Sequence, residues 1–294
     1  MRYSLVSRFR GAFLGAFLGE CIASQEGHDI NLGRLAVIST NSLIRLGRLD
    51  INDWLEHRQL GANNSWGEII LATLPVALFF HESPIKLKQN LLQVLKIWGQ
   101  DDPILQSATL AFGYAIAQSL VEKLHPFTLI PQTIEFLEVS SNSLTENLLK
   151  VNNLLEQSAS LEIAQDVLNQ SEKLSYNFAL SFYCFLSTLE DFRLAVLRAT
   201  HQDSYGEKQA ISTITAALSG TYNSTAGLPV SWQVLFSPKN SPAWGLNSFS
   251  QMLELSDALV AVWSGLYELT PNQSYHTTAK CPPSFAAPRV IRPR

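Results

Sequence analysis

The sequence reads as an all-α protein, a single compact multi-helix bundle. Three observations lead there. Apolar residues recur at helical spacing along most of the 294 residues. Alternating β-branched runs, the mark of half-buried strands, are scarce. The segment Gly11 to Ile22 is apolar on nearly every side, as a helix at the centre of a bundle has to be. The composition, 46% hydrophobic and 16% charged, is too apolar and too weakly charged for a disordered chain.

The first helix carries four stripes of period four. Gly11, Gly15 and Gly19 form one; Phe9, Phe13 and Phe17 a second; Leu14, Leu18 and Ile22 a third. Ala12 and Ala16 form the fourth, which Glu20 continues. Each interior glycine costs about 1 kcal/mol relative to alanine. The glycine stripe therefore predicts another backbone packed closely on it. Glu20 is a carboxylate on an otherwise buried helix.

Ile30 to Gly47 follows, with Leu32, Leu35, Val37, Ile38, Leu43, Ile44 and Leu46 at helical spacing. Ser83-Pro84 is a cap with a first-turn proline and opens Ile85 to Trp98, which Gly99 ends. Asp102-Pro103 opens a helix running to about Leu124, and Ser143 can cap Leu144 to about Gln157. Periodic segments then span about Leu161 to Glu172, Ser175 to Leu186 and Asp191 to Thr200. Gly206 to Tyr222 has Ile211, Ile214 and Leu218 on one face, and a last long helix lies near Asn247 to Leu269.

The bundle thus occupies residues 1–269. Residues 270–294 differ: no acids, four basic residues and five prolines. Such a tail is expected to be disordered, with docking onto a partner as the other use of it. It contributes +4 to a net charge of −4, so the rest of the chain carries −8. That balance gives no general pull toward nucleic acid or an anionic membrane.

Cys21, Cys184 and Cys281 are odd in number and far apart, which argues against a disulfide framework or zinc ribbon and for a cytoplasmic setting. Arg2, Arg8 and Arg10 before Gly11–Ile22 have the outline of a signal peptide. However, Glu20 stands where a lipoprotein site wants a small residue, and the stretch is too short to span a bilayer. The six histidines show no metal-ligand spacing, and no phosphate-binding loop, dinucleotide fingerprint, nucleophile elbow or His-Glu-x-x-His is present.

Two segments together resemble a known family. One is Arg8-Phe9-Arg10-Gly11-Ala12-Phe13-Leu14-Gly15-Ala16-Phe17-Leu18-Gly19-Glu20-Cys21. The other runs from Gly206-Glu207-Lys208-Gln209-Ala210 to Gly220-Thr221-Tyr222, followed by Leu228-Pro229 and Trp232. They are similar to the R-x-x-G-A-x-x-G-x-x-x-G-D-A/C opening and the late G-G-D-T-D-T and G-A-Y of the ADP-ribosylglycohydrolase family, which includes the dinitrogenase reductase-activating glycohydrolases. Between them, Leu71-Ala72-Thr73-Leu74-Pro75 resembles the family's M-R-x-x-P. Gly99-Gln100-Asp101-Asp102-Pro103 resembles its T-H-x-x-P. The resemblance covers roughly residues 8 to 233 in the right order.

The resemblance implies an all-α bundle, two magnesium ions held by an early T-D-D-T and the late D-T-D-T, and hydrolysis of the bond that joins ADP-ribose to an acceptor. Magnesium wants hard oxygen ligands in near-octahedral geometry, and two ions can polarise the sugar and activate water. Carried over position by position, the first late aspartate falls on Glu207, the second on Gln209 and the closing threonine on Ala210. The early cluster falls on Ser39-Thr40-Asn41-Ser42. The arginine of M-R-x-x-P falls on Ala72, the histidine of T-H-x-x-P on Gln100, and the aspartate of the opening motif on Glu20. Of four expected metal carboxylates, one remains.

The resemblance therefore implies a degenerate metal site, with no metal ligand set and no cofactor. The chain is then a non-catalytic binding or regulatory module for an ADP-ribose-like nucleotide or a protein partner. Its ligand cleft would be lined by Glu26, Thr40, Asn41, Trp66, Asp203 and Gln209. The alternative is an active hydrolase of ADP-ribosyl or related N- or O-glycosidic bonds. It would retain magnesium, or use Glu20 and Glu207 as an acid–base pair in the manner of glycosidases. Each residue also has a plainer use. Glu207 suits the first turn of a helix, Glu20 could be satisfied by backbone donors, and Trp66 could simply pack.

Overall fold

Helix α1 (Leu5–Ala23) is buried from Arg8 to Glu20 apart from Arg10, so it runs through the middle of the protein. The computed structural model describes residues 3–24, 31–56, 64–97, 102–138, 142–201, 205–235, 244–246 and 248–266. Residues 270–294, Glu26, Gln100 and Asp203 lie outside them. Among the described residues every regular element is helical.

The partner that the glycine stripe predicts is α13 (Tyr205–Asn223), which crosses α1 antiparallel. A Cβ added to Gly11 would sit on the carbonyl oxygen of Gly220, and one on Gly15 on that of Ala216. One on Gly19 would lie 2.6 Å from the carbonyl oxygen of Ser212. Ser212, Ala216 and Gly220 are themselves four apart, so two small-residue stripes meet backbone to backbone. The Ser212 hydroxyl donates to the Gly19 carbonyl at 2.7 Å and joins the two helices.

The remaining helices wrap this pair. α2 (Arg34–Leu46) ends on Gly47 in the left-handed conformation, φ 63°. α3 (Ile51–Glu56) is short. α4 (Trp66–Ala72) starts on a capping box: Ser65 Oγ accepts from Glu68 N, and Glu68 Oε2 accepts from Ser65 N. Thr73 links it to α5 (Leu74–Phe79). α6 (Pro84–Ile97) and α7 (Pro103–Leu120) begin at the two predicted proline signals, and Asp102 accepts from Ile104 N at 2.8 Å. α8 (Leu129–Leu137) precedes α9 (Ser143–Glu156). The cap of α9 is Asn142, whose Oδ1 accepts from Thr145 N at 2.9 Å; the predicted cap, Ser143, is the first helical residue.

α10 (Leu161–Leu168), α11 (Lys173–Ser187) and α12 (Phe192–Ala199) follow, the last capped by Asp191. After α13 the chain makes 3₁₀ turns at Thr225–Gly227 and Val230–Leu235. α14 (Phe249–Ser264) then returns to α1. There Arg10 makes a two-point ion pair with Asp257 at 2.6 and 2.5 Å. Arg8, at the start of α1, is buried and donates to Glu122 Oε1 at 2.5 Å and to the Ser119 carbonyl, tying α1 to the end of α7. One apolar core runs through all of this. Among the described residues no helix is long and apolar enough to cross a membrane.

Candidate functional site

The α1–α13 seam ends beside two acidic clusters that the fold keeps apart. Glu20, on the last turn of α1, is fully buried. Its Oε1 accepts from Leu32 N at 2.9 Å and from Gln209 Nε2 at 3.2 Å. Its Oε2 accepts from the Trp244 indole N–H at 2.7 Å. Gln209 also donates to Ser24 Oγ at 3.1 Å. Trp244 is 1% exposed, meets Phe17 edge-on at 5.5 Å and lies flat against Gly33, where a Cβ would run into the indole ring. The indole seals the carboxylate in.

Burial pushes the Glu20 carboxyl up to about 7 from its ordinary 4.5; the hydrogen bonds from Leu32, Trp244 and Asn31 act in the opposite direction. Between those two values the folded protein holds a proton that the unfolded chain has released. Stability therefore falls as pH rises through that window, by roughly 3 kcal/mol in total, and changes no further above it. Urea unfolding at pH 5 and pH 8 should show that loss in the parent and a much smaller one in Glu20→Gln. Equal losses in both would mean another group titrates.

Glu207 lies in the first turn of α13, where the helix dipole favours a negative charge. Its Oε2 accepts from Trp66 Nε1 at 3.2 Å and from Asn177 Nδ2. Its Oε1 pairs with Lys173 Nζ at 2.8 Å. Positions 207 and 209 are two residues apart on one helix, so their side chains diverge. Gln209 turns to Glu20 on α1, and Glu207 to α4 and α11. The predicted pair of carboxylates thus belongs to two separate clusters with separate partners.

On α2, Thr40 is buried and its hydroxyl donates to Ala36 O of its own helix at 2.6 Å, while Asn41 is exposed. Trp66 is half-buried and on Glu207, as above. Glu26 and Asp203 lie outside the described residues. The structure therefore joins Gln209 to Glu20 and Trp66 to Glu207. Neither described cysteine is poised as a nucleophile. Burial pushes the Cys184 thiol up to about 12, and burial beside Glu20 raises that of Cys21. A pocket of about 170 Å³ between Leu14, Leu18, Leu228, Phe249, Leu253 and Arg10 lies on a different stripe of α1 and is too small for a dinucleotide-sized ligand.

A family model, ADP-ribosylglycohydrolase, matches residues 1–267 of the chain. The chain belongs to the ADP-ribosylglycohydrolase family. No curated protein matches the sequence.

The family's dinuclear magnesium centre can be tested against the residues onto which the order of its motifs carries it. Glu207 is charged, but its charge is already matched by Lys173. Gln209 is neutral, and its side-chain N–H group is held by Glu20 and Ser24. Ala210 offers no donor atom and is covered: a Cβ on Gly67 of α4 would come within 2.8 Å of the Ala210 Cβ. Thr40 and Asn41 bring no charge, where two carboxylates are expected. Among the described residues no three His, Cys, Asp or Glu side chains converge as a metal-binding group. These residues do not fit two magnesium ions. The arginine position of the family, Ala72, is fully buried at the end of α4.

Sequence reasoning missed four members of these ADP-ribosylglycohydrolase clusters: Trp244, Ser24, Lys173 and Asn177. Lys173 and Asn177 are four apart on α11 and so share a face, and Asn177 is a polar residue in an apolar run. That was a usable signal. Trp244 gave none, because its partner Glu20 is 224 residues away.

Proposed function

We propose that this ADP-ribosylglycohydrolase-family protein has lost the dinuclear magnesium site and works as a non-catalytic binding or regulatory module. Its ligand would be an ADP-ribose-like nucleotide or a protein partner. The observation that carries the reading is the fate of the late ligand positions: Glu207 is paired with Lys173, Gln209 with Glu20, and Ala210 is walled off by Gly67. Four carboxylates around an empty site would repel one another, and metal would relieve that. A single neutralised glutamate has no such need.

The second reading, an active hydrolase, draws on Glu20, because a carboxyl titrating near neutrality can act as a general acid. Against it, Glu20 is fully buried beneath Trp244, out of reach of a substrate proton.

A thermal titration tests the proposal. A ligand at one hundred times its dissociation constant stabilises by about 2.7 kcal/mol, which raises the melting point of a chain this size by at least a few degrees. We expect no shift with 10 mM magnesium or with chelator, as order-of-magnitude test conditions. A shift with ADP-ribose would support the nucleotide-binding form of the module. A magnesium-dependent shift, or metal-dependent release of ADP-ribose from a modified protein, would sink the proposal and promote the hydrolase.

A further inference from the structure

The Glu207 cluster is built asymmetrically. Oε2 takes two neutral donors, the Trp66 indole and the Asn177 amide. Oε1 takes a cation, Lys173 Nζ at 2.8 Å. Lys173 and Asn177 sit one turn apart on the same face of α11, so one helix supplies both the charge and one of the neutral donors. Trp66 reaches the same carboxylate from α4. Three elements converge on one acid, and the charge it receives comes from the chain itself.

Charge arithmetic gives this arrangement its meaning. Two divalent ions against four carboxylates sum to zero, and so does one ammonium against one carboxylate. We infer that Lys173 is a built-in cation: its ammonium occupies the charge-neutralising place beside Glu207, the position onto which the family's motif order carries a metal-binding aspartate. The inference rests on the reading above that the dinuclear site is lost, and adds the residue that makes the loss self-sufficient. Lys173 is 72% exposed, so the pair contributes little to stability. Its effect is on which cations Glu207 accepts. A carboxylate already holding an ammonium is a poor ligand for a second positive ion; without it Oε1 is left open to a cation, while the indole and the amide still hold Oε2.

Terbium reports on this directly, because its luminescence is sensitised by a nearby indole, and the Trp66 N–H is 3.2 Å from Glu207 Oε2. The full-length parent, Lys173→Met, Glu207→Gln and the double variant are titrated with terbium under tryptophan excitation, with circular dichroism confirming the fold of each. Methionine keeps an apolar stem of similar length and removes the charge. Lys173→Met should emit several-fold more than the parent at the same terbium concentration, and the double variant should return to the parent level. Emission from Lys173→Met equal to the parent would overturn the inference while leaving the lost-metal reading standing. Parent emission that Glu207→Gln abolishes would overturn it too, since Glu207 would then take a cation despite Lys173. A magnesium-dependent melting shift in the parent is a separate outcome and strikes the underlying reading.

Discussion

Gly15→Leu should lose at least about 3 kcal/mol, or fail to fold. Overpacking a filled core costs about 1–3 kcal/mol when side chains can shift. Here the nearest atoms to an added Cβ are backbone: the carbonyl oxygen of Ala216 and, at 3.1 Å, the Cα of Gly220. Backbone in a helix cannot rotate aside, so α1 and α13 would have to separate along the seam that centres the core. For a chain of this size the loss corresponds to a melting point lower by about 6–12 °C. Thermal melts of Gly15→Leu and the milder Gly15→Ala, followed at 222 nm, would show graded losses. A Gly15→Leu protein that melts like the parent would mean the seam is not close-packed.

Trp244→Ala carries the second large effect. Removing a buried tryptophan costs about 3–5 kcal/mol through the lost burial and the cavity left behind. In this protein it also takes away the donor on Glu20 Oε2, leaving a buried carboxylate one hydrogen bond short. Together these should lower the melting point by at least about 10 °C. Trp244→Phe narrows the causes, since it keeps an aromatic ring in the site, leaves a smaller cavity than alanine and removes the N–H. If Trp244→Phe is as stable as the parent, the indole serves by packing alone and Glu20 does not depend on it.

How much of this was legible depended on whether the information was local. The glycine stripe of α1 announced a close-packed partner because its period is fixed within one segment, and the structure supplies α13. Proline and polar caps marked the starts of α6 and α7 for the same reason. The stretch from Ile69 to Phe79 was not legible as helix, because it is buried on all sides and so carries no periodic contrast between faces. α3 is a turn and a half and too short for any pattern, and α8 has Pro131 in its first turn, which interrupts the pattern there. The site divides along the same line. Glu20, Glu207 and Gln209 stood out through the order of the family's motifs. What each of them touches is set by helices far apart in the chain: the spacing of Lys173 and Asn177 marks a shared face but not its partner, and no spacing rule reaches Trp244.

The α1–α13 seam has a consequence for how the protein is made. Gly19 and Ser212 are 193 residues apart, so the contact at the centre of the core is among the last the growing chain can form. At about 5–20 residues per second, α1 leaves the ribosome roughly 10–40 s before α13 does. Throughout that interval a helix apolar on every side has no partner for its small-residue stripe. Closing so long a loop adds only a modest entropic term, growing as the logarithm of its length, so the seam is slow to become available rather than difficult to close. The segment that defines the finished core is therefore, during synthesis, the one most in need of shelter.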